Sequence, residues 1–157
     1  MISLLPPALA LGLVALWAVR MTVGRSTMTP DPEKVRAAAH ALAVTAGIQA
    51  VHFSEELSTG FHERLPALFG LPPMSLGVFV GFNLVWIGIW SVSVAWLRTG
   101  HPFPLFAAWF LAIAGCANGI VHPLLSLLVG GYFPGLVTSP FIGLAGLWLW
   151  RRLSAIS

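Results

Sequence analysis

Long apolar segments separated by short polar loops make up almost the whole of this chain. A helix needs about 20 predominantly apolar residues to cross the hydrocarbon core of a bilayer. Five segments are close to that length or longer, namely residues 4–23, 35–57, 74–97, 103–128 and 133–150. The last is the shortest and contains Pro134 and Pro140, so we expect it to be broken or tilted. The pattern predicts an all-α, polytopic transmembrane bundle of about five spans.

The composition agrees with a membrane environment. Hydrophobic residues make up 57% of the chain and charged residues 8%, whereas a soluble domain is about 25% charged. We therefore expect a single integral membrane domain over residues 1–157, embedded in the lipid bilayer of the bacterial inner (plasma) membrane, with a homo-oligomer as one option. No nucleic-acid-binding motif is present. Cys116 cannot form an internal disulfide and is expected to be a packing residue.

The basic residues predict the orientation of the bundle, because cytoplasmic loops of membrane proteins are enriched in Lys and Arg. With the N-terminus outside, only Arg64 falls on the outer side. The others fall on the cytoplasmic side and comprise Arg20, Arg25, Lys34, Arg36, Arg98, Arg151 and Arg152.

A polar stripe interrupts the second apolar segment. His52, Glu55 and Glu56 lie on one face of a helix that turns about 100° per residue, and Thr45, Gln49 and Thr59 extend that face. Ionisable groups at membrane depth are costly and usually mark function. The alternative is that the two glutamates are simply solvated at the outer interface.

A second polar pair, Asn118 and His122, lies one helical turn apart in the fourth segment. In the predicted topology this pair reaches the same outer half of the bilayer as His52, and Asn83 of the third segment lies at a similar depth. His122 also precedes Pro123, so it can instead be a core histidine bonded to a carbonyl group that the proline frees.

These groups suit a divalent metal, with zinc the first expectation and iron the second, because zinc accepts histidine and carboxylate ligands. We expect His52, Glu56 and His122 as metal ligands, with Glu56 counted among the catalytic groups as well. Glu55 would act as the base on a bound water and Asn118 would stabilise the oxyanion of a hydrolysis. The expected substrate is hydrophobic or lipid-like. The residues expected to bind it are Gln49, Asn83, Tyr132 and Thr138.

Three other interpretations stay open. Without a metal, a buried glutamate could serve as the acid or base of an isomerase or cyclase that acts on a terpenoid-like molecule. The same residues could bind a cation or relay protons in a small carrier or channel. They could also form a polar seam between the helices of an assembly subunit.

Three motifs in order resemble the HXXEE-domain family of small bacterial and fungal integral membrane proteins. They are His52-x-x-Glu55-Glu56, Asn118-x-x-x-His122 and the run 132–138, Tyr-Phe-Pro-Gly-Leu-Val-Thr. The resemblance implies a multi-helix membrane domain of enzymatic character with these His, Glu and Asn residues as its active site, and it implies no substrate. The residue types are also similar to those of intramembrane CAAX-processing and bacteriocin-processing proteases, although motif order and spacing differ.

Overall fold

The computed structural model describes residues 2–23 and 31–156, and within them the chain is helical with no β-strand. A short 3₁₀ turn, Ile2–Leu4, leads into the first helix, and a second one, Leu97–Thr99, follows the fourth. The helices are α1 (Leu5–Val23), α2 (Pro32–Ser58), α3 (Phe61–Ala67), α4 (Leu76–Trp96), α5 (Pro102–Leu128) and α6 (Ser139–Ser154).

Three helical segments, Ile2–Val23, Leu76–Thr99 and Pro102–Leu128, are long and apolar enough to cross a membrane. The other two predicted spans differ from these. α2 has 27 residues but contains the polar stripe and a charged first turn, and α6 has only 16 residues. The expected fifth segment also begins too early, since the helix starts at Ser139 and continues to Ser154. The five-span topology therefore stays a prediction.

The late start of α6 follows from local chemistry. Gly135 has a φ of 86°, a left-handed conformation that ends any regular helix around it. Pro140 lies in the first turn of α6, where its missing N–H group would have no helical partner in any case. α2 begins in a similar way, because the side chain of Asp31 accepts a hydrogen bond from the Glu33 amide at 2.9 Å and Pro32 follows it.

α5 is the central helix of the bundle. It packs against α6, α1 and α4, while α2 packs against α6 and α4. In the most apolar stretch of α5 50% of the residues are buried, compared with 11% in α1 and 17% in α4. Trp109 of α5 is fully buried within the main hydrophobic cluster. α1 and α4 are thus the peripheral helices, with most of their apolar surface exposed.

The backbones of α5 and α6 approach each other so closely that no side chain fits between them. A Cβ atom added to Gly119 would lie 2.7 Å from the Cα of Gly143, and one added to Gly146 would lie 2.8 Å from the Ala112 carbonyl oxygen. Small residues allow such contacts between helices. As a result the connection over residues 129–138, here termed the α5–α6 loop, folds back tightly over the last turns of α5.

The helices begin and end at two opposite ends of the bundle. Phe53 near the end of α2 contacts Phe79 near the start of α4, with ring centroids 5.6 Å apart. At the opposite end of the bundle, Trp17 of α1 contacts Trp150 of α6 at 5.2 Å. Basic residues cluster at the second end, namely Arg20, Lys34, Arg36, Arg98, Arg151 and Arg152. Arg64 lies at the first end, and Arg25 lies outside the described residues.

Candidate metal centre

Two helices bring three potential ligands together. His52 and Glu56 lie one turn apart on α2, and His122 comes from α5. Glu56 Oε1 lies 3.6 Å from His52 Nε2 and 3.4 Å from His122 Nε2, and the three ligand atoms lie within 4.8 Å of one another. All three residues are buried. The predicted convergence of His52, Glu56 and His122 is therefore confirmed.

The other ring nitrogen of each histidine has a partner of its own. His122 Nδ1 lies 2.6 Å from the carbonyl oxygen of Pro134, which can only accept, so this nitrogen carries the proton and donates. His52 Nδ1 lies 2.7 Å from the hydroxyl oxygen of Thr138. That hydroxyl donates its own proton to Glu55 Oε2 at 2.5 Å, so it accepts from His52. Each neutral imidazole therefore turns the lone pair of its Nε2 toward Glu56.

This arrangement places three acceptors face to face with no donor between them. His52 Nε2 is buried and has no hydrogen-bond partner in the part of the chain that the structure describes. Burying a polar atom without a partner is costly, and facing acceptors repel each other. A cation between the three atoms would remove both penalties. That cation can be a metal ion or a shared proton.

The two distances from Glu56 Oε1 fit ligands of one metal ion, whereas the widest separation in the group, up to 4.8 Å, would have to shorten. Two ligands at about 2.05 Å from a tetrahedral zinc lie about 3.4 Å apart, which is close to both distances measured from Glu56 Oε1. Histidine ligands of metals typically donate their second N–H group to a carbonyl or carboxylate group. His122 does so directly to Pro134, and His52 does so through Thr138. Three protein ligands would leave a fourth position for water or substrate.

Glu55, the neighbour of Glu56, faces the α5–α6 loop instead. Its Oε1 accepts from the Tyr132 hydroxyl at 2.7 Å and from the Val137 amide at 3.0 Å. Its Oε2 accepts from the Thr138 amide at 2.8 Å and from the Thr138 hydroxyl. A carboxylate offers about four lone-pair sites, so these donors occupy all of them. The catalytic role predicted for Glu55 stays a prediction, and these contacts do not favour a base.

Tyr132 lies outside the helices and is partly exposed. Burial raises the pKa of its hydroxyl above the ordinary value, and the hydrogen bond to the Glu55 carboxylate raises that pKa further. Tyr132 thus contacts Glu55 and not Glu56, the carboxylate that lies between the two histidines.

Sequence reasoning missed how closely the loop covers the imidazoles. A Cβ atom on Gly135 would lie 2.5 Å from the ring of His122 and 2.9 Å from that of His52, so only glycine fits here. Phe61 of α3 and Phe133 of the loop lie beside the His122 ring, with centroids at 5.5 and 6.5 Å. These aromatic side chains exclude water from one side of the site. The Pro-Gly pair in the 132–138 run is the signal that could have revealed the close contact.

The remaining predicted residues do not join this cluster by hydrogen bonds. Asn83 donates to the carbonyl of Phe79 in its own helix at 3.0 Å. Gln49 is buried one turn before His52, and its Oε1 has no partner among the described residues. Asn118 is half-buried one turn before His122. Their predicted roles, and those of Tyr132 and Thr138 in substrate binding, stay predictions.

A family profile matches residues 31–149, the larger part of the chain, and its description is a protein of unknown function with an HXXEE motif. The chain belongs to the HXXEE family. In this member the motif residues His52, Glu55 and Glu56 lie near the end of α2, and the matched range contains all three members of the His52, Glu56 and His122 cluster. Comparisons with curated proteins and with solved structures give no match.

Proposed function

We propose that this HXXEE protein is a metal-dependent membrane hydrolase whose centre is formed by His52, Glu56 and His122. The observation that carries the proposal is the set of three converging acceptors with an unpartnered His52 Nε2. A bound zinc ion would lower the pKa of a water molecule to about 7 and would polarise an acyl or phosphoryl oxygen. Asn118, on the same face of α5 as His122, is the residue we assign to the oxyanion.

A lipid-like substrate is supported by the surface beside the centre. An open groove of about 470 Å³ is lined by Pro123, Ser126, Leu127, Gly130, Gly131 and Leu136. Pro123 follows His122 in the chain, and Leu136 follows Gly135, which lies over both imidazoles. Leu127 is 77% exposed. An apolar groove that adjoins a polar centre suits a molecule with a hydrolysable head and a hydrocarbon chain.

The test of the metal is a measurement of zinc and iron in detergent-purified protein prepared without chelators. We expect about one zinc ion per chain, and we expect Glu56→Gln and His122→Asn to lose it. Glu63→Gln, on the exposed surface of α3, is the matched control and should retain the metal. Equal metal content in all three variants would contradict the assignment of the ligands.

The same samples test the alternative that the centre works without a metal ion. If the wild-type protein binds no metal even when zinc is supplied, the cation between the three acceptors is a proton, and the centre is an acid or base as in an isomerase. If zinc is bound, hydrolysis of long-chain esters and phosphoesters in detergent micelles should depend on Glu56 and not on Glu63. Turnover that is equal in Glu56→Gln and wild type would reject the hydrolase.

We further propose that the centre lies in the outer half of the bilayer. The basic residues Arg151 and Arg152 end α6 at the opposite end of the bundle from the metal ligands, which suits a cytoplasmic C-terminus. A reporter that is active only in the cytoplasm, fused after Ser157, should therefore be active. If that fusion is inactive and a fusion to a reporter that works only in the periplasm is active, the orientation is the reverse. The centre would then lie in the inner half of the bilayer.

A further inference from the structure

Thr138 stands at the position where a threonine usually caps a helix, yet its side chain makes no capping bond to α6. The hydroxyl group instead lies between Glu55 Oε2 and His52 Nδ1, at 2.5 and 2.7 Å. The hydroxyl is thus engaged by two side chains of α2 and not by the backbone of α6.

Glu55, Thr138 and His52 form a chain of hydrogen bonds, and the Glu55 carboxylate at one end fixes the direction of both bonds. Glu55 as a carboxylate can only accept, so the Thr138 proton points toward Glu55 and the His52 proton must be on Nδ1. We propose that Glu55 is a positioning residue, which acts through Thr138 to keep the Nε2 lone pair of His52 directed at the metal. This inference rests on the proposed function, because a metal ligand is what requires that lone pair.

The same carboxylate also positions the second histidine. Its bonds to Tyr132 and to the Val137 and Thr138 amides tie down both ends of the run that contains Pro134 and Gly135. The Pro134 carbonyl then receives the His122 Nδ1 proton. Glu55 thus orients both histidines without contacting the ion. Neighbouring residues on a helix point about 100° apart, so adjacent glutamates can face the loop and the metal separately.

The first experiment compares zinc dissociation constants of the full-length protein in detergent, measured by competition with a chelator. Thr138→Val keeps the shape of the side chain but removes the hydroxyl, and we expect it to weaken zinc binding about 10- to 100-fold, as does Glu55→Gln. Thr138→Ser restores the hydroxyl and should bind within a few-fold of wild type. Tyr132→Phe leaves the Glu55–Thr138–His52 chain intact and should have a smaller effect than Thr138→Val.

A second measurement reads the His52 tautomer without any metal. In chelator-treated protein with ¹⁵N-labelled histidine, the His52 signals are identified by their loss in His52→Asn. Wild type should show protonated Nδ1, and Thr138→Val and Glu55→Gln should both shift the proton toward Nε2. A tautomer and a zinc affinity that are unchanged in both variants would overturn the proposal. If wild type binds no zinc but the tautomer shifts, the metal function fails and the positioning role of Glu55 stands.

Discussion

Glu55 and Glu56 are adjacent in the sequence, but their surroundings in the structure differ. Glu55 receives four donors from the α5–α6 loop and lies at the edge of the bundle. Glu56 is buried and faces two imidazole lone pairs. The Glu55 carboxylate is therefore satisfied by the protein itself, whereas Glu56 faces two further acceptors among the described residues. The comparison shows that two identical, adjacent side chains of one motif can have entirely different hydrogen-bond partners.

Gly135→Ala should have the largest effect, because Gly135 lies in the loop that donates to Glu55 and also packs against both imidazoles. The left-handed conformation costs about 1–2 kcal/mol for alanine, and the new methyl group would collide with both imidazoles. We expect a large loss of folded protein and of bound metal, measured by size-exclusion chromatography, thermal melting and metal analysis. Gly131→Ala, in the same loop with no neighbour near its Cβ position, is the control. Wild-type melting of Gly135→Ala would show that the loop does not rest on the histidines.

Glutamine substitutions of the two glutamates should separate stability from metal binding. Glu55→Gln removes the charge that four donors require, so we expect a loss of about 1–3 kcal/mol in the free energy of unfolding. In metal-free protein Glu56→Gln should melt at or above the wild-type temperature, because it removes a buried charge that lacks a donor. Thermal melting of both variants with and without chelator measures this contrast. Equal destabilisation by the two substitutions would remove the distinction between them.

Titration of Tyr132 offers a smaller but direct measure of its bond to Glu55. Tyr132 is the single tyrosine of the chain, so tyrosinate absorbance reports it alone. Burial and the bond to Glu55 raise its pKa, so the midpoint should lie above the ordinary value of about 10. Glu55→Gln should lower that midpoint. The pKa of Tyr132 is higher in the folded than in the unfolded chain. Its contribution to folding stability is therefore fully present below the unfolded pKa and is lost as the pH rises through the raised pKa. A midpoint that is unaffected by Glu55→Gln would contradict the bond.

Asn83→Ala should have the smallest effect, because the Asn83 amide donates its hydrogen bond to the carbonyl of Phe79 in its own helix and not to the cluster. We expect a change within about 0.5 kcal/mol in the free energy of unfolding and unchanged zinc content. Loss of turnover at normal zinc content would instead support the predicted role of Asn83 in substrate binding.

Several features of the site could be predicted from the sequence. His52 and Glu56 share a helix face because an α-helix has 3.6 residues per turn. An ionisable stripe in an apolar chain is costly to bury alone, so a second polar group was expected beside it. His122 was the residue of matching type and depth, and the structure places it there. The sequence grouped Glu56 with the two histidines, but the four donors that the α5–α6 loop gives to Glu55 could not be predicted, because they lie far away in the sequence.

The sequence by itself determined the helical, membrane-compatible character of the chain and the pairing of His52 with Glu56 on one helix face, because hydropathy and helical period depend only on neighbours along the chain. Only the tertiary structure decided which lone pairs converge. Residues 132–138 lie over the two histidines, and this arrangement gives Glu55 its donors, whereas Glu56 has no hydrogen-bond donor in the part of the chain that the structure describes. Hydrogen-bond direction depends on partners far away in sequence, and spacing along a helix carries no information about them.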